Sequence, residues 1–116
     1  MNTPPVLPEK TSLGIDANLA AVLTYVLGFF SGIAFLILEK ENKFVRFHAL
    51  QSTLAFVFLM VIKVALSVIP VLGALVILFL VWPVTVALWL VLMYKAYNYE
   101  KFKLPIFGDI AEKQIG

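Results

Sequence analysis

Residues 19–38 run for 20 positions without one charged side chain. At 1.5 Å per residue, a helix of that length covers the roughly 30 Å hydrocarbon core of a bilayer. The pattern recurs twice. Residues 49–69 form a second apolar run, interrupted by Gln51 and Lys63, and residues 74–93 form a third that again carries no charge. Hydrophobic residues make up 62% of the chain, against roughly 45–50% in a soluble domain. Charged residues supply only 14%, too few to coat a soluble fold of this size. These features predict an all-α membrane protein with three transmembrane helices at about 19–38, 49–69 and 74–94.

The polar segments divide the runs. Residues 1–18 hold Pro4, Pro5 and Pro8, which favour an extended, flexible tail, and Asp16 is placed to cap the helix that follows. Residues 39–48 pack five formal charges into ten positions, so a turn at the water interface is expected there. Pro70 and Gly73 mark a tight turn. A connection that short joins antiparallel neighbours, so the second and third spans are expected to form a hairpin. Tyr94, Tyr97 and Tyr99 suit a helix leaving lipid through an aromatic belt. Residues 95–116 then form a polar C-terminal segment, with Ile106, Ile110 and Lys113 spaced for a short helix on the surface.

Three spans place the 39–48 turn and the C-terminal segment on one side and the N-terminal tail and the 70–73 turn on the other. Lys40, Lys43, Arg46, Lys95, Lys101, Lys103 and Lys113 fall on the first side and only Lys10 on the second. The excess of basic residues marks the cytoplasmic side, so the expectation is a multi-pass protein of the cell membrane with its N-terminus outside and its C-terminus in the cytoplasm.

Some residues promise more than topology. Ala20, Thr24, Gly28 and Gly32 recur every four positions and include a GxxxG pair, a stripe that permits close helix packing. It serves either the chain's own hairpin or a homo-oligomer. Lys63 is the one charged residue inside a span, and Ser52 and Ser67 share its helical face. Its stem either snorkels to the headgroups or lines a polar path with those serines. Pro83 removes a helical hydrogen bond to Phe79, so a kink is expected. Lys40, Lys43, Arg46, Lys101 and Lys103 interleave with aromatic residues in a cytoplasmic basic surface suited to anionic lipid headgroups.

Several chemistries find no support. The chain has no cysteine and one histidine, His48, around which no triad or metal set gathers in sequence. A net charge of +2 is too small for a nucleic-acid face. No catalytic residue, metal ligand or cofactor site is expected.

Three stretches together, LGIDANLAAVLTY at 13–25, LEKENKFVRFHALQS at 38–52 and MYKAYNYEKFKLPIFGDIAEK at 93–113, resemble an uncharacterised family of small prokaryotic membrane proteins. That family is often grouped with the Tic-type import component of the chloroplast inner envelope, whose members are described with four spans and a role in protein translocation. The resemblance covers nearly the whole chain and carries no established site residues with it. The residues favour a non-enzymatic membrane protein that works through helix packing and through lipids or another membrane protein. The alternative is a subunit of a translocation pore or small transporter, with Lys63, Ser52 and Ser67 along a path.

Overall fold

A computed structural model of the chain describes residues 10–115; the proline-bearing part of the expected tail, residues 1–9, lies outside the described residues. These residues form helices and no strand, with one isolated bridge pairing Lys10 and Asp16. Helix α1 covers Ala17–Val26, α2 Phe29–Leu38, α3 Lys43–Leu66, α4 Leu72–Val76, α5 Trp82–Tyr97 and α6 Phe107–Ile115. A π-helical turn, Ile77–Val81, joins α4 to α5 without a break, so Leu72–Tyr97 is one rod of 26 residues.

Two helices, α3 and the α4–α5 rod, are long and apolar enough to cross a membrane. The three-span expectation fails at residues 19–38, which are two ten-residue helices rather than one of 20. Gly28 sits between them at φ 64° and ψ −134°, a conformation open in practice only to glycine. The chain folds back there. Ala17 and Ala20 pack on Val45, Tyr25 reaches His48 and Gln51, and Gly28 lies over Phe56, so α1 runs alongside α3 in the same direction. Gly32 lies against Ala49 and Thr53, and the Leu36 carbonyl meets Arg46, so α2 returns against it. Ten helical residues extend only about 15 Å, half a bilayer core.

The fold-back brings residues 12 and 39 together. Glu39 Oε1 accepts from the Ser12 amide and hydroxyl, both at 2.8 Å. The lead-in and the 39–42 loop therefore share one end of the molecule, whereas three spans had set them on opposite sides.

Other local expectations are corrected as well. The charged segment does not end in a turn at residue 48. Asn42 accepts from the Val45 amide at 3.1 Å and caps α3, so the helix starts at Lys43, six residues before the apolar run, and buries Phe47 and His48. Asp16 makes no cap hydrogen bond; its carboxylate pairs with Lys10 at 3.0 Å instead. Gly73 is needed inside α4, where any side chain would strike the Leu66 carbonyl. Pro83 interrupts nothing, because the π-helical turn immediately before it takes up the lost bond.

The α5 rod ends where the Tyr99 amide donates to the Ala96 carbonyl and the Glu100 amide to Lys95. This is a helix-ending motif that normally holds glycine; here Tyr99 adopts φ 62°. Its hydroxyl donates to Asn18 at 3.1 Å, which ties the end of α5 to the start of α1. Helix α6 packs back along α3, with Phe107 on Phe58 and Ile110, Gln114 and Ile115 near Leu36, Arg46 and Leu50.

Candidate functional site

A polar seam lies inside the bundle, between α1, α3 and the strand-like segment after α5. The Tyr25 hydroxyl stands 2.6 Å from His48 Nδ1 and accepts from Gln51 Nε2 at 3.0 Å. His48 Nε2 lies 3.1 Å from the Glu100 carbonyl, which can only accept. That carbonyl fixes the proton on Nε2 and leaves Nδ1 to accept a hydrogen bond from the Tyr25 hydroxyl. Gln51 closes the seam: its amide nitrogen also donates to the Phe102 carbonyl at 2.9 Å, and its oxygen accepts from the Leu104 amide at 2.8 Å. Tyr25, His48 and Gln51 are fully buried. Satisfied on every side, they hold the C-terminal segment to the bundle, since freeing any one would strand the others in an apolar interior.

The break between α1 and α2 is satisfied in the same way. Ser52 donates to the carbonyls of Thr24 and Gly28 at 2.8 and 3.0 Å, and Ser31 donates to the Thr24 carbonyl at 2.9 Å. Trp89 donates to the Tyr25 carbonyl at 2.7 Å. Helix ends leave carbonyls without partners, and in lipid each would be costly. These side chains satisfy the carbonyls of the turn from within the chain.

At the charged end, Glu39 is the fastener. Burial works against its charge, but the Asn42 amide, the Ser12 hydroxyl and the amides of Glu41 and Ser12 outweigh that and hold its carboxyl below the usual range. Arg46 donates to the Leu36 and Glu39 carbonyls at 3.0 and 2.8 Å, closing the end of α2. Lys103 and Glu112 pair at 2.9 Å; the hydrogen bond and charge of each partner raise the lysine and lower the glutamate.

The residues singled out in the sequence separate into three groups. Ala20, Thr24, Gly28 and Gly32 all meet α3, but by folding back around Gly28 rather than as one helical stripe. Of Lys63, Ser52 and Ser67, Ser52 stands apart, while Ser67 follows Lys63 by one helical turn, its amide donating to the Lys63 carbonyl. Ser52 is buried in the α1–α2 break, Ser67 bonds the Val64 carbonyl at the far turn, and Lys63 stands over the Trp82 ring at 4.1 Å. Of the basic surface, Arg46 caps α2, while Lys101 and Lys103 pair with Glu112. Lys40 and Lys43 are exposed, with no ion pair among the described residues.

Tyr25, Glu39, Gln51 and Trp89 escaped the sequence reading as a set. Gln51 alone gave a signal, as an amide inside an apolar run.

Two helices long and apolar enough to cross a membrane, a folded-back pair of short apolar helices and a charged end fit a small helical membrane protein. The chain belongs to the magnetosome magnetite crystal formation protein family, whose pattern matches residues 9–111. It is 54% identical over 99 residues to a UPF0132 membrane protein of Archaeoglobus fulgidus, a match covering 85% of this chain and 95% of that protein. It is 51% identical over 107 residues to the UPF0132 membrane protein MJ1443 of Methanocaldococcus jannaschii, covering 90% and 93%. These relatives bear out a small prokaryotic membrane-protein family; neither carries the name of a plastid import component. No solved structure matches the chain.

Proposed function

We propose that the chain is a non-enzymatic cell-membrane protein that crosses the bilayer twice and gathers anionic lipid headgroups at a cytoplasmic end. One observation carries the reading. Lys10, Lys40, Lys43, Arg46, Lys95, Lys101, Lys103 and Lys113 belong to the lead-in, the 39–42 loop, the adjoining ends of α3 and α5, or the C-terminal segment, and the turn after α3 has no charge. With the fold-back, the basic residues outside the spans divide eight to none, which favours that end as cytoplasmic. N-terminus and C-terminus then share the cytoplasm, in place of an outside N-terminus.

Five of the eight are engaged with carboxylates or carbonyls. Lys40, Lys43 and Lys113 remain to meet lipid phosphate, at about 1 kcal/mol each. The non-enzymatic reading draws support from the buried seam: the polar groups of Tyr25, His48 and Gln51 are consumed by one another and by backbone. The family description speaks of crystal formation; for this chain we read its contribution as the organisation of membrane rather than as a reaction. The pore reading is the weaker of the two, because Ser52 is spent on the α1–α2 break rather than placed along a path with Lys63.

Native mass spectrometry from nanodiscs of mixed phosphatidylglycerol and phosphatidylcholine tests the reading. The chain is expected to retain phosphatidylglycerol selectively, and the double change Lys40→Gln with Lys43→Gln to lose most of that selectivity. Equal retention of both lipids by the unaltered chain would refute it.

A further inference from the structure

The cross-section of the molecule changes with depth. Around Gln51, α3 is covered by α1, α2 and the C-terminal segment, and α5 packs on the other side of α1. Beyond Phe56, α3 has no buried residue, and around Lys63 its partner is the α4–α5 rod at Trp82.

Both inserted segments have their deepest point near one level. The α1–α2 turn reaches Phe56, about 20 Å along α3 from Lys43, and the C-terminal segment reaches deepest with Phe107 on Phe58 before α6 returns. The turn is apolar on its outer surface, with Leu27 and Phe30 each 68% exposed; the C-terminal segment is amphipathic, exposing Ile106 and Ile110 as well as Asp109 and Lys113, so past Phe107 it lies higher, with its charges at the headgroups. Tyr94 and Tyr97, also exposed, mark the interface on α5. They lie level with Asn18, whose amide bonds the Tyr97 carbonyl. The two insertions therefore begin at the headgroups and reach their deepest points near the bilayer midplane.

We propose that the chain is a one-sided wedge that drives or follows membrane curvature, convex on the side of its charged end. This rests on the two-span reading above. Three helices, α1, α2 and α6, lie in one leaflet and its headgroups and, among the described residues, have no counterpart in the other. With a helix about 10 Å across, they add roughly 200 Å² to one leaflet only. Their occupant is the acyl chains of that leaflet, which must spread to admit them. A bilayer whose leaflets differ in area bends toward the larger one, and a molecule of that shape collects where the bend already exists. Beneath the overhang, a groove of about 500 Å³ lined by Leu27, Phe30, Leu59, Met60 and Trp82 leaves room for chains of the opposite leaflet to close the gap.

Membrane tubes pulled from giant vesicles holding the full chain test the wedge. The chain has no native cysteine, so Glu41→Cys labelled from outside reports molecules with the charged end outward, and Val68→Cys labelled from outside reports the reverse. The first population is expected to be enriched severalfold on narrow tubes over the flat vesicle, and the second depleted. Equal density of the two populations on the tubes would overturn the proposal. The pair Leu27→Ser with Phe30→Ser, which touches no bond of the buried seam, is expected to reduce the sorting. If that variant does not fold, the comparison of the two orientations still decides. A short distance between Leu13 and Glu41 together with absent sorting would reject the wedge and leave the two-span reading standing.

Discussion

Residues 19–38 and 74–93 are two uncharged runs of equal length, and they fold in opposite ways. The first contains Ser31 and two glycines and folds back on itself at Gly28; the second contains proline and remains one continuous rod. Proline is the stronger helix breaker by intrinsic preference, by about 3 kcal/mol against 1 for glycine, so propensity alone ranks them wrongly. What separates them is the supply of partners. The turn at Gly28 has Ser31, Ser52 and Trp89 to satisfy its carbonyls, and Glu39 to tie its two ends together. The second run takes up its proline with a π-helical turn and no outside help. In a membrane, a chain turns where its freed backbone groups find partners.

That contrast can be broken residue by residue. Gly28→Val should have the largest effect, because a β-branched residue is forced into a glycine-only conformation; a loss of about 3 kcal/mol is expected in detergent unfolding followed by tryptophan fluorescence. Gly32→Ala should cost about 1–3 kcal/mol, since its new methyl would lie 2.8 Å from the Ala49 carbonyl and 2.7 Å from Thr53 Oγ1. The same melt measures it, and an unchanged midpoint would contradict the close approach of α2 to α3.

Acid should loosen the fastener. Because the Glu39 carboxyl is held below its ordinary range, its stabilisation is fully present above the unfolded value near 4.5 and is lost as pH falls through the lower, folded value. Melts at pH 7 and pH 3 should therefore differ, and Glu39→Gln should remove much of that difference. Pro83→Ala should change least, leaving stability equal or slightly raised, because the rod is already continuous around it. A large loss there would mean that the second run also depends on its breaker.

Much of the architecture was legible. Length and apolarity identify α3 and the α4–α5 rod, and Pro70 with Gly73 places the turn between them within a few residues. Hydropathy measures how much apolar chain exists, and it is silent on the path that chain takes. Nothing local distinguishes a Gly28 inside a helix from a Gly28 at φ 64°; the difference lies in Ser12, Glu39, Ser52 and Trp89, the last of which reaches Tyr25 from 64 residues away. The count of basic residues depended on every run crossing. Once residues 19–38 return to their starting side, Lys10 joins the other seven, and the single exception to the charge rule disappears. The seam was hidden for a related reason: Tyr25 reads as one more aromatic in an apolar run until His48 and Gln51 are brought against it.

The account stands on the fold-back of residues 19–38, and the distance between spin labels at Leu13 and Glu41, measured by pulsed electron resonance in lipid nanodiscs, tests it most directly. With Ser12 and Glu39 in hydrogen-bond contact, the labels should lie within about 20 Å of each other. A single continuous span would hold them roughly 40 Å apart, and a distance of that size would contradict the half-depth hairpin, the shared end and the wedge together.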